Sequence, residues 1–411
     1  MSYAIGRRAL LERLGLVAAA GITIGALPSL AFAHESEPTP SEVELNSISE
    51  LVRLFMDKYQ VPGLSMAIAR HDQFVYRKAF GFADQGTDRR ATPSNLFRIA
   101  SVSKPITSVA IFTLIEGNRL KLDDLVFGRQ GILGFDYGSA YPERIEQIRV
   151  VHLLTHTSGG WSNEADDPMF FDPKMSQNDL IKWTLREVPL QHEPGQHFAY
   201  SNFGYCILGR VVEKLGAQTY EQFAQQNVLA KCGVADMRIG GNTPADRSID
   251  EVAYYGEKGA PTFWTDPYGF NVRRMDSHGG WIATPSDLVS FAMHVDGFSY
   301  TPSILEASSI QTMTEPCLVS PMPRYAKGWF VNSRPNWWHG GVLPGTASIL
   351  VRTATGLCWA ALANTFTSGL LGNLDHLMWD VVKSVPAWRA MDSSGFGNWP
   401  GLSPLRSSSM Y

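Results

Sequence analysis

Cysteine is scarce in this sequence, with four in 411 residues, at Cys206, Cys232, Cys317 and Cys358. Their wide separation fits no zinc-ligand pattern. A chain of this length buries a substantial core without disulfide staples; buried free thiols are the expectation, and disulfides, which export would permit, are the alternative. Excess charge is lacking too: 35 Lys and Arg face 39 Asp and Glu, a net charge of −4. With no local Lys/Arg cluster, this balance points away from a nucleic-acid or anionic-membrane partner. Beyond residue 33 no apolar run reaches the roughly 20 residues that cross a bilayer. Internal repeats and long low-complexity tracts are absent. So is a G-x-S-x-G nucleophile elbow, because Gly63-Leu64-Ser65 continues as Met66-Ala67. That absence argues against an α/β-hydrolase sheet.

What is present begins with a leader. Arg7 and Arg8 precede an apolar, Gly/Ala-rich run over 15–30, which closes on Ala31-Phe32-Ala33, a small-residue cleavage pattern. Residues 1–33 read as a signal peptide, and the paired arginines give it a twin-arginine cast, with a general secretory signal as the alternative. Gly6 and Glu12 depart from the usual flanks of that signal. The expectation is an exported protein, periplasmic or secreted, with no stable membrane anchor after cleavage.

Residues 34–41 form a polar, Pro-containing linker. Leu45, Ile48, Leu51, Leu54 and Phe55 recur at helical spacing and predict a helix over 42–59. Strand-like runs follow at 63–69 and 74–80, across a turn at 70–73. The pattern is helical over 102–120 and mainly helical, with Gly/Pro interruptions, over 150–235. Thr284-Pro285-Ser286-Asp287 is a helix start, with a capping Thr and Pro at the first position. Strands return at 328–331, 347–353 and 357–363, before a last helix over 371–385 and a loose Ser/Gly/Pro-rich tail at 391–411. Strands at both ends with helices between them predict an α+β fold: an antiparallel sheet flanked by helices. Within the domain at 42–390, a mainly helical insertion spans about 105–270.

Three motifs carry possible chemistry. In Ser101-Val102-Ser103-Lys104, residues three apart at a helix start share a face, which sets the Ser101 hydroxyl beside the Lys104 amine. Serine needs an adjacent base near neutral pH, and an amine removed from water loses pKa and can serve as one. The bland alternative is a Ser cap with a solvated Lys. In Tyr200-Ser201-Asn202, a phenol acts as a base only if cations depress its pKa, and Lys104 is the candidate cation. The Asn202 amide can hold both a substrate carbonyl and the Lys amine. The alternative is an aromatic turn packed on the core. In His339-Gly340-Gly341, small residues on a strand let a substrate backbone lie close to edge N–H donors; the alternative is a plain glycine turn. His152 and His156 are four apart, as in a zinc helix, but Leu-Leu-Thr lies between them and no third ligand is evident. Metal and cofactor are not expected.

In this order and spacing the motifs resemble the serine β-lactamase and penicillin-binding-protein family, in its class C-like branch of esterases, DD-peptidases and D-aminopeptidases. The resemblance extends to 95–100 ahead of the serine, to His152-Leu153-Leu154-Thr155-His156-Thr157-Ser158-Gly159, to Gly279-Gly280 and to Gly328-Trp329. It implies a β-lactamase/transpeptidase-like fold and a hydrolase working through an acyl-enzyme on Ser101. Lys104 and Tyr200 would move the proton, and the N–H groups of Ser101 and Val342 would form the oxyanion hole. Many relatives carry Lys-Thr-Gly at the third motif to anchor a substrate carboxylate; here His339 and Gly340 stand instead. A small acyl ester or amide is therefore the expected substrate. D-peptide hydrolysis, β-lactam hydrolysis and a non-catalytic acyl-sensing role are the alternatives.

Overall fold

The computed structural model describes residues 36–389, apart from 165, 166, 258 and 323. The leader at 1–33 and the tail at 391–411 lie outside the described residues. The first amphipathic segment is helix α1 (Glu42–Tyr59), which buries Ile48, Val52 and Phe55. Its start is fixed reciprocally: Ser41 Oγ accepts the Glu44 N–H, and the Glu44 carboxylate accepts the Ser41 N–H. The linker before it is docked rather than free from Glu37 onward. Glu37 Oε1 lies 2.6 Å from His71 Nδ1, and Trp388 Nε1 donates to the Pro38 carbonyl at 3.0 Å.

Two strands, β1 (Gly63–Arg70) and β2 (Gln73–Asp84), form the expected hairpin. Its turn is tight because His71 takes a left-handed φ of 53°. The remaining strands are β3 (Arg89–Arg90), β4 (Phe97–Arg98), β5 (Arg238–Ile239), β6 (Trp281–Ala283), β7 (Arg324–Tyr325), β8 (Phe330–Val331), β9 (Trp337–Leu343), β10 (Thr346–Arg352) and β11 (Leu357–Ala363). Among the described residues, eight of them make one antiparallel sheet in the order β3-β2-β1-β11-β10-β9-β8-β7. N-terminal and C-terminal strands thus meet at β1–β11, as the placement of strands at both ends required. A smaller sheet, β4-β6-β5, stands apart.

The central strands are apolar on both faces because both faces are covered. Along β1, Leu64, Met66 and Ile68 join a core with α1 and with α6 (Leu370–Lys383). The intervening Ala67 and Ala69 join the opposite core, with α2 (Ser103–Glu116) and α5 (Pro285–Met293). This is the two-residue alternation of a strand. Helix α5 begins where its cap predicts: Thr284 Oγ1 accepts the Asp287 N–H, and the Asp287 carboxylate accepts the Thr284 N–H. Helices α3 (Gln177–Glu187) and α4 (Asn202–Gly216) complete the helical side.

Two sequence expectations shorten. Helix α2 ends at Glu116, since Gly117 and Asn118 follow and Asn118 has a left-handed φ of 53°. The strand expected over 328–331 is only Phe330–Val331. Gly328 has φ 90°, and a Cβ there would stand 2.6 Å from Ser108 Cβ on α2. All four cysteines are free; three are buried and Cys317 is half-buried.

Candidate active site

The site forms where three chain segments converge on the start of α2. Strand β4 leads into a short 3₁₀ turn, Ala100–Val102, which runs into α2. Ala100 carries φ 47°, a left-handed conformation that costs an alanine about 1 kcal/mol or more and persists only when its surroundings enforce it. They do: the Ile99 N–H bonds the Trp281 carbonyl at 3.0 Å, and Ser348 Oγ donates to the Ile99 carbonyl at 2.6 Å. Ser101 is held half-exposed toward the pocket.

Lys104 is fully buried one turn on. Its Nζ lies 3.0 Å from Ser101 Oγ, 2.7 Å from Asn202 Oδ1 and 3.1 Å from the His278 carbonyl. Burial pulls the amine down from its ordinary 10.5 to about 7, against the opposing field of Asp167. Near neutrality the amine is thus divided between its two forms. As ammonium it donates to all three oxygens. As neutral amine it keeps two donors, for Asn202 and His278, and its lone pair is left to accept the Ser101 hydroxyl proton.

Tyr200 departs from the sequence expectation. Its phenol hydrogen-bonds Ser101, yet burial pushes it above its ordinary value of 10. Lys104, whose Nζ sits over the ring 4.8 Å from the centroid, does not depress it, because an amine lowered to about 7 has lost its charge before the phenol could ionise. The phenol is therefore a proton donor and relay, not a free-standing base. His156 fixes its position. The His156 carbonyl accepts the Ala199 N–H at 2.8 Å, its Nδ1 accepts the Ser201 N–H at 3.0 Å, and its ring lies 4.1 Å from that of Tyr200, tilted by 34°. Burial keeps that imidazole neutral, its pKa well below normal.

Asn202 reaches Lys104 as expected, but its amide nitrogen is committed to Asp167 Oδ2 at 2.7 Å. That bond uses one of its two N–H groups, and Asn202 also lines the pocket, where the second can meet a substrate carbonyl. Strand β9 supplies the third segment. Beyond Trp338 no described strand pairs with its outer edge, which faces the pocket. A Cβ on Gly341 would stand 2.4 Å from the Ile99 carbonyl oxygen and 2.8 Å from Ser101 N, so only glycine lets β9 press against the nucleophile's backbone. Gly340 and Val342 face the pocket, and a Cβ on Gly340 would meet Leu371 Cδ2 of α6 at 2.8 Å. His339 is buried, with Nδ1 donating to the Gly340 carbonyl at 2.7 Å and Nε2 accepting from the Tyr325 hydroxyl at 3.2 Å. Burial, then Lys104, pulls it from 6.5 to about 3, which leaves it neutral. Trp338 lines the pocket, whereas Trp337 turns into the other core against Trp329.

The pocket holds about 590 Å³. Its walls are mainly apolar, with Phe170, Phe198, Phe263, Trp264, Phe330 and Leu371 around Ser101. Among the described lining residues the carboxylates are Glu164 and Asp167, and no Lys or Arg is present. Sequence reasoning missed Asp167, Asn163, His278 and most of this wall. Asp167, Asn163 and His278 lie outside the helices and strands, and only His278, next to the Gly279-Gly280 pair already noted, had a sequence cue.

Known proteins share this fold. The profile of the family described as Beta-lactamase matches residues 48–383. Protein flp of Staphylococcus aureus (strain MW2) is 24% identical over 347 residues, covering 82% of this chain and 66% of flp. Penicillin-binding protein 4* of Bacillus subtilis (strain 168) is 24% identical over 330 residues, covering 72% of this chain and again 66% of the relative. The chain thus spans a little under two thirds of the length of these relatives. D-amino acid amidase from Ochrobactrum anthropi SV3 superposes with a TM-score of 0.69 at 23% identity, over 85% of this chain and 100% of the amidase. The octameric penicillin-binding protein homologue from Pyrococcus abyssi gives 0.66 at 22%, over 83% and 79%. With its fold matched to these proteins and the family profile running through nearly all of the described residues, the chain belongs to the β-lactamase family.

Proposed function

We propose that this chain is a serine hydrolase that cleaves small uncharged acyl esters and amides through an acyl-enzyme on Ser101. The observation that carries this reading is a fully buried amine within hydrogen-bond reach of the Ser101 hydroxyl, at the floor of a pocket with no cationic wall. Neutral Lys104 accepts the Ser101 proton as Oγ attacks the carbonyl carbon. The N–H groups of Ser101 and Val342 receive the developing oxyanion, a donor of this kind contributing about 3 kcal/mol. The Tyr200 phenol passes a proton to the leaving group and regains one from Lys104. Water then attacks the ester carbonyl, giving its proton back along the same path, and Ser101 is restored. The third motif supports an uncharged substrate. A buried carboxylate needs a cation or several donors to offset its desolvation. Neutral His339 has spent its N–H on Gly340, and Gly340 has no side chain.

A second reading has its own support. The pocket combines aromatic walls with Glu164 at its rim, and the amidase that superposes on this chain was crystallised with L-phenylalanine amide. An amide of an aromatic amino acid would set its ammonium near that carboxylate. Export is proposed on the leader sequence alone; a mature N-terminus at His34 in the exported fraction would support it.

Turnover of p-nitrophenyl esters, D- and L-phenylalanine amides, D-Ala-D-Ala peptides and nitrocefin separates these readings. The proposal expects the highest kcat/KM on a short ester. Preference for the amides supports the second reading. Preference for D-Ala-D-Ala peptides or nitrocefin, or no turnover of any, overturns both.

A further inference from the structure

The Asn202 amide has two ends that look alike to its surroundings, and only one of them can accept a bond from Lys104. Its orientation is settled by a residue 35 positions earlier: Asp167 Oδ2 accepts from Asn202 Nδ2 at 2.7 Å, so Oδ1 is turned to Lys104 Nζ, also at 2.7 Å. Asp167 is itself fixed. Its Oδ1 accepts the Met169 N–H at 3.0 Å. The loop after it is gripped by Arg274, whose guanidinium donates to the carbonyls of Met169, Phe171, Asp172 and Met175 at 2.7–3.0 Å. Arg274 is buried, so this grip is not diluted by water.

We propose that Asp167 is a positioning residue for the hydrolysis: it locks the Asn202 amide with its oxygen toward Lys104 and keeps the amine aimed at Ser101. The inference rests on the reading of Ser101 and Lys104 as nucleophile and base. An amide freed from Asp167 turns over at little cost, and its NH₂ group then faces an amine that has only donors to offer in its charged form. The amine is left one acceptor short and drifts from Ser101. A displacement on the order of 1 Å costs up to about 10²-fold in rate. Asp167 also acts by charge. Its field favours the ammonium form of Lys104. Tyr200 and Tyr205 present ring faces to Lys104, and the buried His156, His278 and His339 sense its charge. Arg274 is the other cation whose field reaches Asp167.

The test compares Asp167→Asn and Asp167→Ala in the full-length protein. Active sites are titrated with a fluorophosphonate, and kcat/KM on an uncharged p-nitrophenyl ester is followed against pH. Asp167→Ala is expected to lose about 10- to 100-fold per titrated site. Asp167→Asn keeps an acceptor for Asn202 Nδ2 and is expected to lose several-fold less. In both, removal of the negative charge moves the acid limb to lower pH, since Lys104 then gives up its proton more readily. Wild-type rates and profiles in both variants overturn the inference. So does an equal loss in both with an unmoved acid limb, the signature of a merely structural role. If the wild-type protein is not labelled at Ser101, the hydrolase mechanism itself is what fails, and the two failures are told apart.

Discussion

At the scale of single residues, the site is built on what burial does to an amine. Lys104 lies in a shell of carbonyls and rings, and desolvation brings its pKa to about 7. The sign is straightforward. Below about pH 7 the amine holds its proton and cannot accept that of Ser101, so kcat/KM on an uncharged ester falls by tenfold per unit on the acid side. A pH–rate profile with no acid limb between 6 and 8 would contradict this. The same group makes stability pH-dependent. Unfolded, the lysine takes up a proton near 10.5; folded, near 7. Between those values the unfolded chain binds more protons, so this group's contribution to stability rises with pH across that window and is flat below it. Lys104→Ala and Tyr200→Phe are each expected to lower turnover by about 10²-fold or more. The double variant should be little worse than the worse single one, because the two act on one proton. Multiplying losses would show independent roles.

At the scale of elements, strand β9 and helix α6 set what the pocket accepts. Gly340 leaves a gap that Leu371 of α6 fills. Gly340→Thr alone drives its Cβ into Leu371, though against the far end of a movable side chain. Paired with Leu371→Ala, it should seat a hydroxyl at the pocket wall. The double variant is expected to improve kcat/KM for a carboxylate-bearing substrate, relative to an ester, by about tenfold, the worth of one hydrogen bond to a charge. An unchanged ratio would show that this position does not set specificity. Gly341 tolerates nothing: Gly341→Ala pushes against the Ile99 carbonyl and Ser101 N, both backbone. It should abolish labelling of Ser101 while leaving most of the fold intact by circular dichroism.

At the scale of the whole molecule, the regular parts of the fold were legible and the irregular parts were not. Helix α1 and strand β11 run over the residues that their periodicity marks, because each buries a fixed face or both faces against long neighbours. The three motifs converge because β4–α2, α4 and β9 each end at one place, and short-range spacing signalled each motif separately. What escaped was the chemistry held by loops. Asp167 meets Asn202, and His278 meets Lys104, across 35 and 174 residues, with no local pattern to announce either contact. The Tyr200 phenol was misjudged for a related reason. Motif order places a lysine beside it, but only three-dimensional packing shows that burial both lowers the amine to about 7 and raises the phenol.

Catalysis by this site requires a covalent intermediate at one serine, Ser101. Rapid mixing of the purified protein with excess p-nitrophenyl acetate, quenched in acid and read by mass, tests it most directly. The expected result is a burst of about one p-nitrophenolate per active site and an acetyl group on the peptide carrying Ser101, both lost in Ser101→Ala. Turnover that persists in Ser101→Ala, or an acyl group found on another residue, would contradict it.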